Sequence, residues 1–442
     1  MKKLKVVNEI TNSLEKNKIF FLLNEIHKYE LQLQNYDKLS LKKLISYERK
    51  WKQISQKYIK INLYGIEFVG IGETISRLFS YVVDKHKRSK NNFHVVLPTF
   101  FSGYKGGIFN NRIFDIFRNN INFVTGQNIS FWKYVIIFHS NKVEISKYNQ
   151  YKFRAPIVLN INVGVPLISF SNEMIRYAEK KMIDMGIKKK YVCFHAREVL
   201  TKVKNFSNHP DTSVADVNIN SFRKSFEYLQ DLGFCVVRMG KDERRECKIE
   251  GIIDYSKLFY DQLMDFYLIA NCKFLVGSAS GLTSITAFWG RPVLITNLNA
   301  FCYGFESLPT TKFDLYIPKK FYSIKDKRYL NLYEMFVISN RCDRYNERFE
   351  KEGIQVIGNT EDEILRAIKE MNDKMEGLWE ETEYEIICME KYWKIIDLWK
   401  KRHKICLTRK RYGGDGYTMM PMPICYSYIK ENMYLLEVEG IK

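Results

Sequence analysis

The spacing of apolar and polar residues changes twice along the chain. Up to about residue 58, apolar residues recur every three or four positions, as at Ile19, Leu22 and Ile26, and this spacing predicts strongly charged amphipathic helices. From there to about residue 358, short apolar runs alternate with helical patterns, which is typical of parallel sheets. From residue 359 the helical spacing returns. The sequence therefore predicts an α/β region between an N-terminal helical extension and a C-terminal helical cap.

The α/β region contains two successive series of strands and helices. In the first series, residues 59–168, the apolar runs predict strands at Ile66–Gly70, Phe93–Pro98, Asn120–Thr125, Tyr134–Ser140 and Pro156–Gly164. In the second series, residues 169–358, the pattern predicts a helix at Ser171–Gly186 and then strands at Tyr191–His195, Phe234–Gly240, Lys273–Gly277 and Pro292–Asn297. Two series of this kind predict two Rossmann-like lobes that face each other across a cleft.

Composition and cysteine spacing narrow the class of protein. With 46% hydrophobic residues the chain can bury a sizeable core, which excludes a disordered protein. The nine cysteines are scattered, with no pair at metal-binding spacing, and predict buried, reduced thiols. The sequence has no secretory apolar segment and no run long enough to span a membrane. These features predict a cytoplasmic protein that is at most peripheral to the inner face of a membrane.

The formal net charge of +20 is open to three interpretations. The basic residues are spread along a chain rich in Lys, Asn, Ile and Tyr, as in proteins of AT-rich genomes. They also suit an anionic partner, such as a phosphorylated sugar donor, a lipid-phosphate acceptor or a membrane surface. Binding to nucleic acid is the weakest of the three interpretations, because the sequence has no helix-turn-helix punctuation, zinc knuckle or aromatic RNA-binding motif.

The stretch Phe274–Asn297 carries the strongest chemical signal. A buried strand is followed by a small-residue turn containing Ser278, Ser280 and Gly281, and a helix is predicted from about Leu282, with Thr283 in its first turn. Free amides and the positive end of a helix dipole would converge on this turn, and the hydroxyl groups add further donors. A plain βαβ corner with a serine cap needs only one such hydroxyl. The turn is therefore predicted to bind a diphosphate.

Two other strand ends in the second series carry basic residues. His195 and Arg197 follow one strand, where ligands of open α/β sheets bind, and a guanidinium offers a fixed fork of donors to a phosphate. Neutralising the charge that develops on a nucleoside-phosphate leaving group would lower the barrier to glycosyl transfer. Arg238 and Gly240 stand at the end of the next strand, where the alternatives are contact with a nucleotide and an exposed basic loop.

The first lobe carries a weaker signal. Gly70 and Gly72 form a Gly-x-Gly turn between a strand and a helix, but the third glycine of the dinucleotide-binding fingerprint is absent. Together with Glu73 they are expected to line the cleft from the acceptor side. No Asp-x-Asp pair occurs in a convincing loop, so neither a metal nor a cofactor is predicted. The sequence does not choose among four candidate general bases, which are Glu73, Glu198, Asp216 and Asp254.

Three segments resemble the C-terminal region of a family of bacterial glycosyltransferases found in surface-polysaccharide gene clusters. The family shows a strand ending in His-Ala-Arg-Asp, a later Ile-Arg-Met-Gly strand and a Gly-x-x-Ser-Gly turn. This chain has His-Ala-Arg-Glu at 195–198, Val-Arg-Met-Gly at 237–240 and Gly-Ser-Ala-Ser-Gly at 277–281, and its segment Tyr426–Leu436 looks like the family's final residues. The resemblance covers Tyr191–Asn297 well, the first lobe faintly and the N-terminal helices not at all.

The resemblance implies a GT-B fold and glycosyl transfer. Glu198 departs from the aspartate of the family, and the loop before Asp216 differs in spacing, which leaves the roles of both carboxylates open. More remotely, the His-x-Arg strand end is similar to that of GT-B fucosyltransferases, in which the arginine holds the β-phosphate of GDP-fucose. This likeness implies a donor-phosphate role for Arg197.

The leading hypothesis is a metal-independent glycosyltransferase that moves a sugar from a nucleotide-sugar donor to a cell-surface glycan or lipid-linked acceptor. Its candidate catalytic residues are His195, Arg197 and Glu73, and its candidate binding residues are Arg238, Gly240, Ser278, Ser280, Gly281, Thr283, Gly70 and Gly72. A sugar-nucleotide epimerase of the same fold and a non-catalytic scaffold of a polysaccharide assembly complex are the alternatives. An epimerase would turn over the donor without an acceptor, whereas a scaffold would bind no nucleotide.

Overall fold

The protein folds into two compact units, Met1–Lys152 and Phe153–Lys442. The computed structural model describes residues 41–58, 60–67, 74–75, 78, 81–82, 91–99, 112–125, 128–147, 163–198, 211, 213–240, 246–258, 261–299, 301, 311–342, 345–402 and 422–441. Within these residues both units contain parallel sheets with helices, which confirms the predicted α/β class.

Unit 1 is built on a parallel three-stranded sheet. Its strands are β1 (Lys60–Glu67), β2 (Asn92–Thr99) and β3 (Val143–Lys147), in the order β2-β1-β3. Branched apolar residues suit this pleated, buried surface, and the side chains of Leu63, Val95 and Val96 are fully buried. The described helices of the unit are α1 (Leu41–Lys57), α2 (Arg112–Phe117) and α3 (Ile129–Phe138).

Several predictions for unit 1 were wrong in detail. The segment predicted as the strand Tyr134–Ser140 belongs mostly to α3, because its apolar run starts at Ile129 and is buried on nearly every face, so that strand and helix periodicity cannot be told apart. The predicted strand Asn120–Thr125 forms only an isolated bridge between Val96 and Phe123. The predicted strand at Pro156–Gly164 lies outside the described residues except for a turn at its end.

Unit 2 is built on a parallel six-stranded sheet. Its strands are β4 (Tyr191–His195), β5 (Cys235–Arg238), β6 (Ile253–Asp254), β7 (Leu275–Gly277), β8 (Val293–Leu298) and β9 (Leu315–Pro318). They lie in the order β6-β5-β4-β7-β8-β9. The chain moves outward from β4 to β6, returns to β7 beside β4, and then moves outward in the other direction. This is the Rossmann strand order, and its topological switch point lies between β4 and β7.

Helices pack against this sheet where the sequence supplies caps and stops. They are α4 (Asn172–Asp184), α5 (Arg223–Asp231), α6 (Tyr255–Leu258) and α7 (Gln262–Asn271). The Ser171 hydroxyl accepts the Met174 amide at the start of α4 and Asp261 caps α7, as these short polar side chains favour. Gly186 and Gly233, both with positive φ, follow α4 and α5.

The C-terminal part of unit 2 adds a small antiparallel sheet and further helices. The strands are β10 (Lys320–Ser323), β11 (Arg328–Tyr329) and β12 (Ile354–Ile357), in the order β11-β10-β12. The helices are α8 (Leu332–Cys342), α9 (Asn346–Lys351), α10 (Glu361–Glu376), α11 (Glu383–Arg402) and α12 (Tyr426–Glu431). The described helices after residue 359 agree with the predicted helical segment, and they pack within unit 2 rather than apart from it.

The last residues of the first predicted lobe are bonded to residues of unit 2. The Gly164 amide donates to the Gly290 carbonyl at 3.0 Å, and the Leu167 amide donates to Phe288 at 2.7 Å. These bonds tie residues 164–167 to unit 2. All seven cysteines in the described ranges are free thiols, and none of the described helices is long and apolar enough to cross a membrane.

Candidate functional site

The ends of β4 and β7 lie side by side at the switch point of the unit 2 sheet. The Ser278 amide donates to the His195 carbonyl at 3.1 Å, and the Ser278 hydroxyl accepts the Arg197 amide at 2.8 Å. A Cβ atom on Gly277 would stand 2.7 Å from the His195 carbonyl oxygen, so only glycine allows this approach. The turn after β7 is thus fixed to the turn after β4 through buried Ser278, and the predicted phosphate-binding residues of both strands share one edge.

The turn after Ser278 is closed by Thr283. The Thr283 hydroxyl donates to the Ser280 carbonyl at 2.7 Å and accepts the Ser280 amide at 3.3 Å. Since Thr283 is fully buried and Ser278 nearly so, both hydroxyls support the turn from within. The Ser280 hydroxyl is also buried, and it has no hydrogen-bond partner among the described residues. Of these three hydroxyl groups, that of Ser280 is therefore the one without a hydrogen-bond partner among the described residues.

The helix that follows this turn differs from the prediction. Residues Thr283–Trp289 form a 3₁₀-helix of seven residues, in which the Thr286 hydroxyl donates to the Thr283 carbonyl at 2.8 Å. The Ile285 amide donates to Leu282, three residues earlier, which is the bonding pattern of this tighter helix. So short a helix has no substantial dipole, and the helix-dipole contribution predicted for the diphosphate site is not supported. The Ser280 hydroxyl remains as a neutral donor of the turn.

His195 is packed into the sheet edge rather than exposed above it. Its side chain is 7% exposed, and its Nδ1 atom lies 3.4 Å from the Met239 carbonyl oxygen. Gly240 has a φ of 122°, and a Cβ atom there would stand 3.3 Å from that same Nδ1 atom. The absence of a side chain at Gly240 therefore leaves room for the His195 imidazole between the ends of β4 and β5. The catalytic role of His195 stays a prediction.

The Arg238 side chain is buried, so the exposed-loop alternative is wrong for this residue, and contact with a nucleotide stays a prediction. Arg238 is 4% exposed, and its Nη1 atom lies 2.9 Å from Asp254 Oδ2 on the neighbouring strand β6. The Ser256 hydroxyl donates to the other oxygen of the same carboxylate. Asp254, one of the four candidate bases, is thus held by a buried ion pair that joins β5 to β6.

Arg197 lies just beyond β4 and is half-buried. Its amide donates to Ser278, and its carbonyl oxygen accepts the Val217 amide at 2.8 Å. We call Val214–Val217 the bridging segment, because it bonds to Arg197 after β4 and also to Lys319, which follows β9 at the same edge of the sheet. Both backbone groups of Arg197 are therefore fixed at the switch point, where its guanidinium was predicted to bind phosphate.

Lys319 is a candidate site residue that no sequence motif predicted. It directly follows β9, so it lies at the same edge of the sheet as Arg197, and it is only 6% exposed. Its Nζ atom donates to the carbonyl oxygens of Val214 and Asp216, at 2.8 and 2.9 Å. Burial lowers the pKa of Lys319 to about 8, with Asp216 opposing and the positive charge of Arg197 adding to the shift. Lys-Lys at 319–320 matches no motif, and its place became visible only once β9 was known to end at this edge.

Of the remaining predicted residues, two lie close to Arg197 or Lys319, and three lie outside the described residues. Glu198 is buried directly after Arg197, and Asp216 lies in the bridging segment close enough to act on Lys319. Gly70, Gly72 and Glu73 lie outside the described residues. No group of three or more His, Cys, Asp or Glu side chains in the described part of the chain is arranged to hold a metal ion.

The arrangement brings two cationic side chains and the buried Ser280 hydroxyl to one edge of the sheet. Arg197 and Lys319 supply positive charge, and the Ser280 hydroxyl supplies a neutral donor beside them. Charged and neutral donors of this kind stabilise a phosphate or diphosphate more strongly than either alone. The Rossmann switch point is where ligands of such sheets bind.

Comparison with known proteins gives structural similarity only. No protein-family model and no curated protein matches the sequence. A glycosyl transferase family 9 protein from Veillonella parvula is 11% identical, with 54% of this chain and 81% of that one covered at a TM-score of 0.35. The E. coli ADP-heptose LPS heptosyltransferase II is 12% identical, covering 58% and 90% at 0.36, and S. aureus MnaA in complex with UDP is 9% identical, covering 73% and 98% at 0.24.

Proposed function

We propose that this protein is a GT-B glycosyltransferase that transfers a sugar from a nucleotide-sugar donor to a cell-surface glycan or lipid-linked acceptor. The observation that carries the proposal is the placement of Arg197 and the Ser280–Gly281 turn at the switch point between β4 and β7. That edge of a Rossmann sheet seats nucleotides, and these groups match the charge and acceptor oxygens of a diphosphate.

The proposed mechanism follows from the leaving group. When the bond between the anomeric carbon and the donor phosphate breaks, negative charge accumulates on the departing diphosphate. A guanidinium and fixed donors at that position stabilise this charge as it forms, so they lower the barrier and not only the dissociation constant. Arg197 would act on the phosphate oxygens, and the Ser280 hydroxyl would donate to one of them. The acceptor oxygen attacks the anomeric carbon and loses its proton to a base, for which Glu73, Glu198 and Asp216 remain candidates.

Substitution of Arg197 tests the phosphate site. In Arg197→Ala, affinity for inorganic pyrophosphate, measured by calorimetry, should fall by about tenfold to a hundredfold, because a charge-assisted and frequently bidentate contact is lost. Pyrophosphate is the probe because it is independent of the base and the sugar of the donor. The matched control is Arg176→Ala, which removes the same charge from an exposed position on α4.

The same variants connect binding to turnover. We expect Arg176→Ala to bind pyrophosphate as the wild type does, and Arg197→Ala to have lost hydrolysis and transfer of any nucleotide-sugar that a thermal-shift panel identifies as a ligand. Unchanged pyrophosphate affinity in folded Arg197→Ala would remove the basis of the proposal. Turnover of the donor in the absence of any acceptor, with its sugar epimerised, would assign the site to the epimerase alternative.

A further inference from the structure

We propose that Lys319 is a positioning residue of the donor site, and that its ammonium group sets the affinity for the donor diphosphate by holding the bridging segment against Arg197. The proposal rests on the proposed function, since it names the group that prepares the same site. It also predicts a property that the phosphate site alone does not have. Donor binding should weaken as Lys319 loses its proton.

The contacts of Lys319 span the sheet edge. Its backbone amide donates to the Leu298 carbonyl at 2.9 Å, which fixes it beside the end of β8. Its ammonium donates to two carbonyl oxygens of the bridging segment, and the last residue of that segment, Val217, donates to the Arg197 carbonyl. A single short segment therefore connects the ammonium of Lys319 to the backbone that carries the phosphate-binding guanidinium.

The charged surroundings of Lys319 are mixed. Asp216 in the bridging segment favours the ammonium form, whereas burial and the nearby guanidinium of Arg197 disfavour it. The next residue, Lys320, is paired with Glu363 at 2.7 Å. On the side of α12, the Tyr428 hydroxyl donates to the Pro318 carbonyl at 3.0 Å. Among the described residues, Asp216 is thus the carboxylate that stabilises the charged form of Lys319.

The free-energy cost of burying Lys319 favours a role that uses its charge. Burial of a lysine costs free energy that an apolar side chain of similar length avoids, and here a second cation raises that cost. An anionic ligand next to Arg197 reverses the balance, because it attracts both cations and screens them from each other. The arrangement is therefore least favourable without an anion and most favourable with one, as expected of a binding site.

The expected pH dependence follows from the sign of the pKa shift. Around neutral pH the ammonium form predominates, and above about pH 8 the positive charge is progressively lost. Binding of a diphosphate stabilises the charged form, so the complex takes up protons near this pH. Pyrophosphate itself becomes more negative as pH rises and would bind a fixed cationic site more tightly. A fall in pyrophosphate affinity as the pH rises therefore indicates that the protein, and not the ligand, has lost a proton.

The first measurement uses the wild-type protein. Calorimetry with inorganic pyrophosphate from about pH 7 to about pH 9.5 should show affinity falling by roughly tenfold, with net proton uptake in buffers of different ionisation enthalpy. Constant or rising affinity without proton uptake overturns the inference, even if Lys319 variants fail to fold. Wild-type protein that binds no pyrophosphate at any pH instead overturns the proposed function.

The second measurement uses three variants of the same chain. Lys319→Met should bind pyrophosphate weakly and without the fall in affinity at high pH, whereas Lys319→Arg keeps a charge that does not titrate and should bind at high pH at least as well as at neutral pH. The control Lys325→Met removes an exposed lysine between β10 and β11 and should retain the wild-type pH profile. If folded Lys319→Met keeps that profile, Lys319 is not the titrating group. Loss of binding in Arg197→Ala with an unchanged pH response in Lys319→Met would leave the phosphate site in place and remove only the inference.

Discussion

At the scale of single residues, Gly277 determines how closely β7 can approach β4. Gly277→Ala would bring a methyl group to 2.7 Å from a backbone oxygen, which cannot rotate away as a side chain would. We expect the free energy of unfolding to fall by about 1–3 kcal/mol, since the strand ends must separate to relieve the overlap. Pyrophosphate binding should weaken as well, because Ser278 then no longer fixes the Arg197 amide. Urea unfolding and calorimetry measure the two effects.

A second glycine provides the control for this prediction. Gly186 after α4 has a φ of 71°, and the space that a Cβ atom would enter there is open, so Gly186→Ala introduces backbone strain but no clash. It should cost roughly 1 kcal/mol and leave pyrophosphate binding unchanged. Equal stability and equal binding in the two variants would mean that the close approach at Gly277 has no effect on the site.

The same scale shows which site residues a sequence can reveal. Arg197 and the Ser278–Thr283 turn could be found, because they follow clear apolar strands and carry residue types suited to phosphate. Their contacts could not be predicted, since only the structure shows that the Ser278 and Thr283 hydroxyls hold the turn and that the Ser280 hydroxyl has no partner among the described residues. Lys319 was missed because its importance depends on a carbonyl pair 103 and 105 residues earlier in the chain.

At the scale of elements, the start of α10 is fixed by hydrogen bonds in its first turn. The Thr360 hydroxyl accepts the Glu363 amide at 3.2 Å, and the Glu363 carboxylate accepts the Thr360 amide at 2.9 Å, which forms a capping box. Thr360→Ala should lower the free energy of unfolding by about 1 kcal/mol, because one buried amide loses its acceptor. Thermal unfolding of unit 2 measures the change. Thr360→Ser keeps the acceptor, so a loss as large as that of alanine would contradict the capping explanation.

Element types were predicted well where the residue pattern was unambiguous. The strands β4, β5, β7 and β8 and the helix α4 appear close to the predicted positions, since their apolar patterns are bounded by polar residues, glycine or proline. The strand predicted around Tyr134 was wrong, because an apolar segment that is buried on nearly every side does not show whether its period is that of a strand or of a helix. The 3₁₀ geometry of Thr283–Trp289 depends on threonine hydroxyls that bond back to carbonyls, and a hydrophobic pattern does not record those bonds.

At the scale of the whole molecule, the described C-terminal residues pack within unit 2 and cover its edge strand β9. The Tyr316 amide donates to Pro423 and the Cys425 amide donates to Tyr316, so this segment covers the edge strand β9. The carboxylate of fully buried Glu370 accepts the amides of Tyr426 and Ser427, at 3.1 and 2.8 Å. Uncovered sheet edges promote association, and a buried carboxylate that loses its donors is costly.

Removal of residues 422–442 should therefore do more than shorten the chain. We expect a lower melting temperature and association detectable by size-exclusion chromatography, because β9 loses its cover and the Glu370 carboxylate loses two donors. Pyrophosphate affinity should fall as well, since the Tyr428 hydroxyl that bonds the Pro318 carbonyl stands next to Lys319. Removal of residues 440–442 alone keeps all these contacts and should behave as the full chain. A monomeric variant lacking residues 422–442, with unchanged melting and binding, would show that the edge of β9 and the position of Lys319 do not depend on the C-terminal segment.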